Sequence, residues 1–512
     1  MHDDLDLPDD GPRGTGHHRA YHALWHLQKI GVVDDLKTFT SSAWDDADQR
    51  IEAKAKRTRV AMIDTSVACK HPNLKDAIAT DLAIDFFSHP LGVPLQPASD
   101  ALKQLIQNGT RPLPDFLHSK ARPFWTDFLE HLQKCRKAAL NNERPRVRPA
   151  TRSSFSAHGT AMAGLIGARP LAPDVVKIAK LRPFDVSTGG ETDPVDPGLP
   201  VGFAYAGVDP FCEIVPISTN FDPEPEQLII AMLHAVLIGA EVIVLARDFP
   251  APKGLAHCVE PETAEAYSAA LGVGLSEEEM ANWDLLERIV KAVSLRVPIV
   301  CASGNGADDF LLYPASLAEP GNGIIAVGAR TAAGQPASYT PKAAVTVYAP
   351  SGDGERLDAA MQRLDTVDAG YRAGDQSQCY VADLHNFGDD PVVDADRAAR
   401  FPKSNEHTYS PQDLISTDVP GRAGYNSSPY TQVFTGQTML DYRSAFCRFS
   451  GTSGAVAVTA GLISLGISAG RISTGRDGDG LAVKRILRGD SNLCHNPPAE
   501  PAVHWRHFPP KP

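Results

Sequence analysis

Four polar residues in this sequence are of the types that acyl-transfer chemistry requires. Ser453 opens a segment that is apolar or small on every side, and His158 opens a second segment of small residues. Asp64 ends one short apolar run, and Asn305 follows another. A serine hydroxyl is a weak nucleophile, so a base must take its proton and a carboxylate must orient and stabilise that base. An asparagine amide can then donate to a developing oxyanion.

Each of these residues is predicted to lie at the end of a regular element. The run Arg59–Ile63 predicts a short buried strand before Asp64, and Pro298–Cys301 predicts another before Asn305. The segment after Ser453 predicts a helix that is buried all round, with the N–H groups of its first turn beside the hydroxyl. Taken alone, a serine in that place is more often a helix cap, and an aspartate after a strand is more often a turn residue.

The alternation of strands and helices along the chain predicts a mostly parallel sheet with helices on both faces. Further strands are predicted at Ile214–Ser218, Glu241–Leu245, Ile324–Gly328 and Ala344–Tyr348. Helices are predicted at His17–Leu36, 43–58, Asp100–Gln107, Phe124–Leu140, Pro225–Ile238 and Ser276–Leu295.

The order Asp, His, Asn, Ser and the motifs around these residues resemble the subtilisin-like serine proteases, the subtilases. The resemblance implies an α/β fold of three layers, built on a mostly parallel sheet of about seven strands. It also implies Asp64 as orienting acid, His158 as general base and acid, Ser453 as nucleophile, Asn305 as oxyanion donor and a polypeptide as substrate. The matching stretches are Ile63-Asp64-Thr65, His158-Gly159-Thr160, Ala302-Ser303-Gly304-Asn305, Tyr313-Pro314-Ala315, Ile325-Ala326-Val327-Gly328 and Gly451-Thr452-Ser453-Gly454-Ala455.

The sequence departs from the family pattern at three places. Ser66 stands where the family usually has glycine, and Ala457 stands where it usually has proline. The family's usual Ser-Leu-Gly beside the substrate cleft is Ala246-Arg247-Asp248 here. We expect Arg247 and Asp248 to reshape or plug the primary substrate pocket. The other residues predicted to bind substrate are Ala302, Ser303 and Gly304.

The predicted domain organisation is one catalytic domain with insertions. We expect a mobile tail at 1–16, a catalytic domain at 17–495 and a Pro-rich tail at 496–512, with insertions near 80–150, 250–290 and 353–442. Only 63 residues precede Asp64, and they contain neither a signal sequence nor an evident prodomain. We therefore expect a cytoplasmic protease whose activity is gated by an inserted segment or by a regulatory protein partner.

Composition limits the partners and cofactors. The formal net charge of −13 disfavours nucleic acid and anionic membranes as partners. The eight scattered cysteines are expected to be free thiols, and His18, His22 and His26 to form a solvated helix face rather than a metal site. The predicted chemistry needs no cofactor. A structural calcium ion is left open without an assigned site, because Asp477-Gly478-Asp479-Gly480 lacks the full calcium-loop pattern and is expected to precede a helix.

Two alternative functions compete with a protease. In the first, Ser453 is the nucleophile of an α/β-hydrolase with Asp490 and His504 as partners, but that leaves Asp64, His158 and Asn305 unexplained. In the second, the chain keeps the subtilase fold but is a catalytically silent binding or scaffold protein. Labelling by a serine-reactive probe separates this second alternative from an active protease.

Overall fold

The structure of the chain is a computed structural model. It describes residues 24–36, 40–54, 56–87, 89–109, 112–143, 156–170, 184–185, 190–191, 205–220, 223–249, 276–332, 334, 336–337, 339–352, 356–357, 362–364, 380–381, 406–408, 414–419, 424–425, 433–435, 446–490 and 501–510.

Nine α-helices lie within the described residues. They are α1 (Trp25–Lys29), α2 (Ser42–Lys54), α3 (Asp100–Gly109), α4 (Arg122–Leu140), α5 (Ser156–Gly167), α6 (Pro225–Leu237), α7 (Glu277–Ser294), α8 (Gly451–Ser468) and α9 (Asp479–Arg488).

The strands form one large sheet and several small ones. The large sheet has eight strands in the order β10-β9-β8-β7-β1-β6-β2-β3, and only the edge strand β3 is antiparallel to its neighbour. This is the mostly parallel α/β sheet that the sequence predicts. The strands are β1 (Arg59–Asp64), β2 (Ile84–Asp85), β3 (Val93–Pro94), β4 (Phe184–Asp185), β5 (Gly190–Glu191), β6 (Glu213–Ser218), β7 (Val242–Leu245), β8 (Ile299–Ala302), β9 (Ile324–Arg330), β10 (Val347–Pro350), β11 (Arg356–Leu357), β12 (Gln362–Leu364), β13 (Tyr380–Val381), β14 (Glu406–Thr408), β15 (Leu414–Thr417), β16 (Val433–Thr435) and β17 (Phe446–Phe449).

Two apolar cores cover the two faces of the large sheet. Alternate residues of a strand point to opposite faces, so Val60 and Met62 of β1 join one core while Ala61 and Ile63 join the other. The first core also contains residues of α1, α2, α5, α8 and α9, and the second contains residues of α3, α4, α6 and α7. The result is the three-layer arrangement of helices, sheet and helices.

Helix α8 contains the predicted nucleophile Ser453 and is buried along almost its whole length. Every residue from Thr452 to Ser468 is buried. Its length and composition would suffice to cross a membrane, but 94% of it is buried inside the protein. It is therefore a core helix, as the sequence predicts.

The N-terminal helix differs from its prediction. The helix predicted at His17–Leu36 ends at Lys29, because Gly31 turns the chain with a φ of 71° and Val32 and Val33 enter the core instead. His26 is 0% exposed, so the predicted solvated histidine face is wrong at this residue. His18 and His22 lie outside the described residues.

The C-terminal segment also differs from its prediction. Residues 501–510 were expected to belong to a tail, but they pack against the domain. Val503 N–H donates to the Tyr348 carbonyl at 2.9 Å, and Trp505 N–H donates to the Ile30 carbonyl at 2.7 Å. Phe508 is 0% exposed. Apolar residues between the prolines provide buried anchors, which a compositional prediction overlooks.

Candidate active site

Asp64 and His158 form a hydrogen-bonded pair at the carboxyl end of the sheet. Asp64 ends β1 and is 0% exposed, and His158 is the third residue of α5. The Asp64 Oδ1 atom lies 2.7 Å from His158 Nδ1 and 2.6 Å from Thr65 N. Because an ionised carboxylate only accepts hydrogen bonds, His158 Nδ1 must carry the proton and donate it. Nε2 of the neutral imidazole is then left as a proton acceptor.

Asp64 stays ionised although it is buried. Burial by itself raises the pKa of a carboxyl group, because it disfavours the charged form. The charge and hydrogen bond of His158, the Arg247 guanidinium and the Thr65 N–H together outweigh burial, and the pKa of Asp64 lies below its ordinary value. Asp64 therefore carries its charge at neutral pH.

The pair is held because β1 and α5 approach each other at backbone distance. Gly159 N–H donates to Thr65 Oγ1, and Ala68 N–H donates to Thr160 Oγ1, both at 2.9 Å. A Cβ atom on Gly159 would lie only 2.5 Å from the Thr65 carbonyl oxygen. The glycine after His158 is therefore required for this contact, and it explains the His-Gly-Thr motif.

The two-stranded antiparallel sheet of β15 and β17 also holds α5. Ser416 Oγ donates to the Ala161 carbonyl at 2.5 Å, and Thr417 Oγ1 donates to the Thr160 carbonyl at 2.8 Å. The Phe449 ring lies edge-on to His158, with 5.7 Å between ring centroids. Strand β15 lies inside the insertion predicted at 353–442. Residues 414–417 of that predicted insertion therefore contact the helix that carries His158.

Ser453 lies in the first turn of α8 and is 8% exposed. Its Oγ donates to the carbonyl of Ala246, just after β7, at 3.0 Å. No hydrogen bond joins Ser453 to His158, and the structure describes both residues. The predicted nucleophile is therefore turned toward the end of β7 in this conformation.

Asn305 is exposed and follows β8, close to the start of α8. Its Oδ1 accepts from Thr452 N–H at 2.8 Å and from Thr452 Oγ1 at 3.0 Å. A backbone N–H can bond only the oxygen of an amide side chain, so this contact fixes which way the amide is turned. The Nδ2 hydrogens of Asn305 therefore point away from Thr452. Thr452 had no role in the sequence prediction, although it lies in the Gly-Thr-Ser motif.

The residues predicted to bind substrate fall into two groups. Ala302, Ser303 and Gly304 are buried beside the start of α8, where Gly304 N–H donates to Thr452 Oγ1 at 3.3 Å. Asp248 is exposed. Arg247 is only 8% exposed, and its Nη1 donates to the Asn220 carbonyl at 2.7 Å. Its guanidinium is therefore turned back toward the end of β6.

Tyr425 is a neighbour of the site that the sequence did not reveal. Its ring lies 5.8 Å from the Phe449 ring, and its N–H donates to Asp418 Oδ1 at 3.0 Å. Burial raises the pKa of the Tyr425 phenol well above its ordinary value, and the nearby Asp64 carboxylate raises it further. The residue lies in a long stretch without hydrophobic periodicity, so no sequence pattern predicted its position.

No cluster of three or more His, Cys, Asp or Glu side chains suited to a metal ion occurs among the described residues. In the stretch Asp477-Gly478-Asp479-Gly480, Asp479 begins α9, and its carboxylate accepts from Arg476 N–H at 3.0 Å. This aspartate therefore lies in the first turn of a helix and bonds the turn that precedes it. Cys69, Cys135, Cys212, Cys301 and Cys447 are free thiols, and Cys301 is buried in β8 as predicted.

The fold and this geometry agree with a comparison against protein families. The model of the subtilase family matches residues 55–488. The chain belongs to the subtilase family. Members of this family are serine proteases, and the resemblance inferred from the sequence motifs is confirmed. No curated protein shows significant similarity to the sequence.

Similar solved structures include several bacterial serine proteases. The nisin leader peptidase from Lactococcus lactis is 12% identical, with 94% of this chain and 91% of that chain covered and a TM-score of 0.41. The epidermin leader peptide processing serine protease from Staphylococcus aureus is 13% identical, with 95% and 80% covered and a TM-score of 0.44. The Aeromonas sobria serine protease, solved with a chaperone, is 14% identical, with 84% and 49% covered and a TM-score of 0.41. This chain thus spans about half the length of the Aeromonas protein.

Proposed function

We propose that this subtilase is a serine endopeptidase that hydrolyses peptide bonds through an acyl-enzyme intermediate. The observation that carries the proposal is the 2.7 Å contact between Asp64 Oδ1 and His158 Nδ1, because it leaves Nε2 as a base. The start of α8, with Ser453, and Asn305 lie at the same end of the sheet as this pair. Asp64, His158 and Ser453 are the proposed triad, and Asn305 is the proposed oxyanion donor.

The proposed reaction has two steps. The Ser453 Oγ atom attacks the peptide carbonyl while His158 Nε2 takes the hydroxyl proton, and His158 then passes that proton to the leaving amine. A water molecule, deprotonated by His158, next attacks the acyl ester and releases the new carboxylate and Ser453. Asp64 keeps His158 in the productive tautomer and stabilises the imidazolium in both steps.

Oxyanion stabilisation is assigned to two donors. Nδ2 of Asn305 points away from Thr452, which already occupies the amide oxygen. The Ser453 N–H belongs to the first helical turn, where N–H groups have no carbonyl four residues earlier within the helix. Donors fixed before the reaction stabilise negative charge without having to reorganise.

We also propose that the site is gated. The Ser453 hydroxyl must leave the Ala246 carbonyl before it can reach His158, so the conformation seen here is a resting one. The proposed change is a rotation of the Ser453 side chain. An inserted segment or a regulatory protein partner that favours the rotated conformation would raise activity.

The test combines a small ester with a protein substrate. A p-nitrophenyl ester needs no extended cleft, and we expect wild type to release a burst of p-nitrophenol that Ser453→Ala abolishes. Ser464→Ala, which removes a hydroxyl farther along the same helix, should keep the burst. We expect casein to be cleaved slowly by the isolated protein. Casein cleavage at the full rate without a partner would show that gating is wrong.

The Ser453–Ala246 bond is also the observation that favours the alternative of a catalytically silent scaffold protein. The same ester experiment separates the two proposals. A folded wild-type protein that gives no burst over the pH range 6–9 would support the scaffold and contradict the protease.

A further inference from the structure

Arg247 crosses the end of the strand that carries the proposed catalytic aspartate. It follows β7 by two residues, and its Nη1 donates to the carbonyl of Asn220, which follows β6 by two residues. In the sheet, β1 lies between β7 and β6. Adjacent strands are about 4.8 Å apart, so the Arg247 side chain must span the carboxyl end of β1. Asp64 is the last residue of that strand.

Asp64 lacks a hydrogen bond on one side of its carboxylate. Oδ1 accepts from both His158 and Thr65, whereas Oδ2 is buried and has no hydrogen-bond partner among the residues that the structure describes. The residue is 0% exposed. Burying an ionised group is costly unless another charge or hydrogen bonds compensate it. A positive charge near this oxygen would lower the cost of burying it.

Arg247 is anchored where it can supply that charge. Its Nη1 donates to Asn220 O at 2.7 Å and reaches Thr219 Oγ1 at 3.4 Å. Thr219 is 0% exposed, and its N–H donates to the backbone carbonyl of Asp64 at 2.8 Å. The guanidinium thus contacts Thr219, whose backbone N–H is hydrogen-bonded to Asp64. An arginine in such a site keeps its charge at any pH at which the protein is folded.

We infer that Arg247 is a positioning residue, whose guanidinium is the buried counter-charge of the Asp64 carboxylate. This positioning role differs from the sequence prediction, in which Arg247 reshapes or plugs the primary substrate pocket. Its effect on rate rests on the proposed protease function, because Arg247 acts through Asp64 on His158. Its effect on stability does not depend on that function.

Three titratable groups face Asp64 from the described elements around it. They are His158 on α5, Arg247 after β7, and Tyr425 on the short segment after β15. Of these, Arg247 is the permanent cation. Its charge is among the causes that hold the pKa of Asp64 low, which agrees with the geometry.

A double-mutant cycle on thermal stability tests the pairing without using activity. Arg247→Met removes the charge but keeps an unbranched side chain, and we expect it to lower the Tm at pH 7. In an Asp64→Asn background the same substitution should lower the Tm by less than half as much, because no charge is left to compensate. Lys484→Met, which removes a buried cation near Glu319, should lower the Tm equally in both backgrounds. Equal Tm losses for Arg247→Met in both backgrounds would overturn the inference.

A pH profile tests the positioning role in an active enzyme. Without Arg247 the Asp64–His158 pair holds a proton more readily, so the acid limb of kcat/KM for Arg247→Met should move to higher pH, by about one unit or less. Arg247→Lys keeps the positive charge, so the acid limb of its kcat/KM profile should lie close to that of wild type. An unmoved acid limb with a raised KM would instead make Arg247 a substrate-binding residue. If wild type has no activity but the stability coupling is present, the proposed function fails while the Arg247–Asp64 pairing stands.

Discussion

The two halves of the candidate site differ in how completely they are assembled. The Asp64–His158 half is locked by backbone contacts between β1 and α5, and its hydrogen bond is already 2.7 Å long. The Ser453 half has a rigid helix, but its hydroxyl is bonded to the Ala246 carbonyl. The proposed base and its orienting acid are therefore held by packing, whereas the hydroxyl of the proposed nucleophile is bonded away from them. Under the proposed gating, activity is controlled at Ser453 while the core stays unchanged.

The largest expected effect comes from breaking the assembled half. Asp64→Asn should lower kcat by about 10⁴-fold, because an asparagine amide permits the wrong histidine tautomer. Asp209→Asn is the matched control, since Asp209 is also 0% exposed but bonds Ser464 and Ser468. Steady-state kinetics on the p-nitrophenyl ester should show a kcat near wild type for the control. A fall of less than about 10-fold for Asp64→Asn would contradict the role of the pair.

A smaller kinetic loss is expected on the Ser453 half. Asn305→Ala should lower kcat by about 10²–10³-fold with little change in KM, because the amide donates only to the developing oxyanion. Asn141→Ala, at an exposed position after α4, should leave both parameters unchanged. A rise in KM at constant kcat would place Asn305 in ground-state substrate binding instead.

The backbone contact behind the assembled half can be tested through stability. Gly159→Ala should cost about 1–3 kcal/mol of unfolding free energy, because the new methyl group overlaps the Thr65 and Ser66 carbonyl oxygens. Gly321→Ala should be nearly neutral, since a Cβ there would meet nothing within 4 Å. Denaturant unfolding measures both. Equal stabilities of the two variants would show that β1 and α5 can separate at low cost.

The smallest expected effect is a difference in acid stability between two buried carboxylates. The pKa of Asp64 is lowered in the folded state, so its contribution to stability is present above about pH 4 and is lost as the pH falls. Burial raises the pKa of Asp209, although hydrogen bonds from Ser464, Ser468 and Phe211 N–H oppose it. Its contribution is therefore present at low pH and is lost as the pH rises through its folded pKa.

Measuring Tm against pH for wild type, Asp64→Asn and Asp209→Asn tests these opposite signs. On acidification, the Tm advantage of wild type over Asp64→Asn should shrink. Over the same range, the advantage over Asp209→Asn should grow. Parallel curves for the two variants would contradict the electrostatic difference between the sites.

The sequence predicted most of the main strands and long helices because their apolar periodicity is local. The helix predicted at Pro225–Ile238 is observed at Pro225–Leu237, and the strand predicted at Ile214–Ser218 is observed at Glu213–Ser218. The sequence missed features that depend on which elements become neighbours. Strand β15 has no strong pattern of its own, yet Ser416 and Thr417 bond the backbone of α5.

The same limit applies to individual side chains near the site. Arg247 departs from a family motif, which singles it out in the sequence, but the direction of its side chain depends on the order β7-β1-β6, which a linear motif does not contain. Tyr425, which lies between β15 and β17 in the chain, interacts electrostatically with Asp64, and no local pattern contains that proximity. Likewise, the motif predicted Ser453 as nucleophile, but the bond of its hydroxyl to Ala246 is a property of side-chain conformation.

Labelling with a fluorophosphonate probe tests the central claim most directly, because this reagent reacts only with a serine that an adjacent base can activate. Peptide mapping of the labelled protein would identify the modified residue. We predict one label on Ser453 in wild type, a loss of labelling in Ser453→Ala, and a strongly slowed reaction in Asp64→Asn. A folded wild-type protein without label, or with a label that persists in Ser453→Ala, would contradict the account.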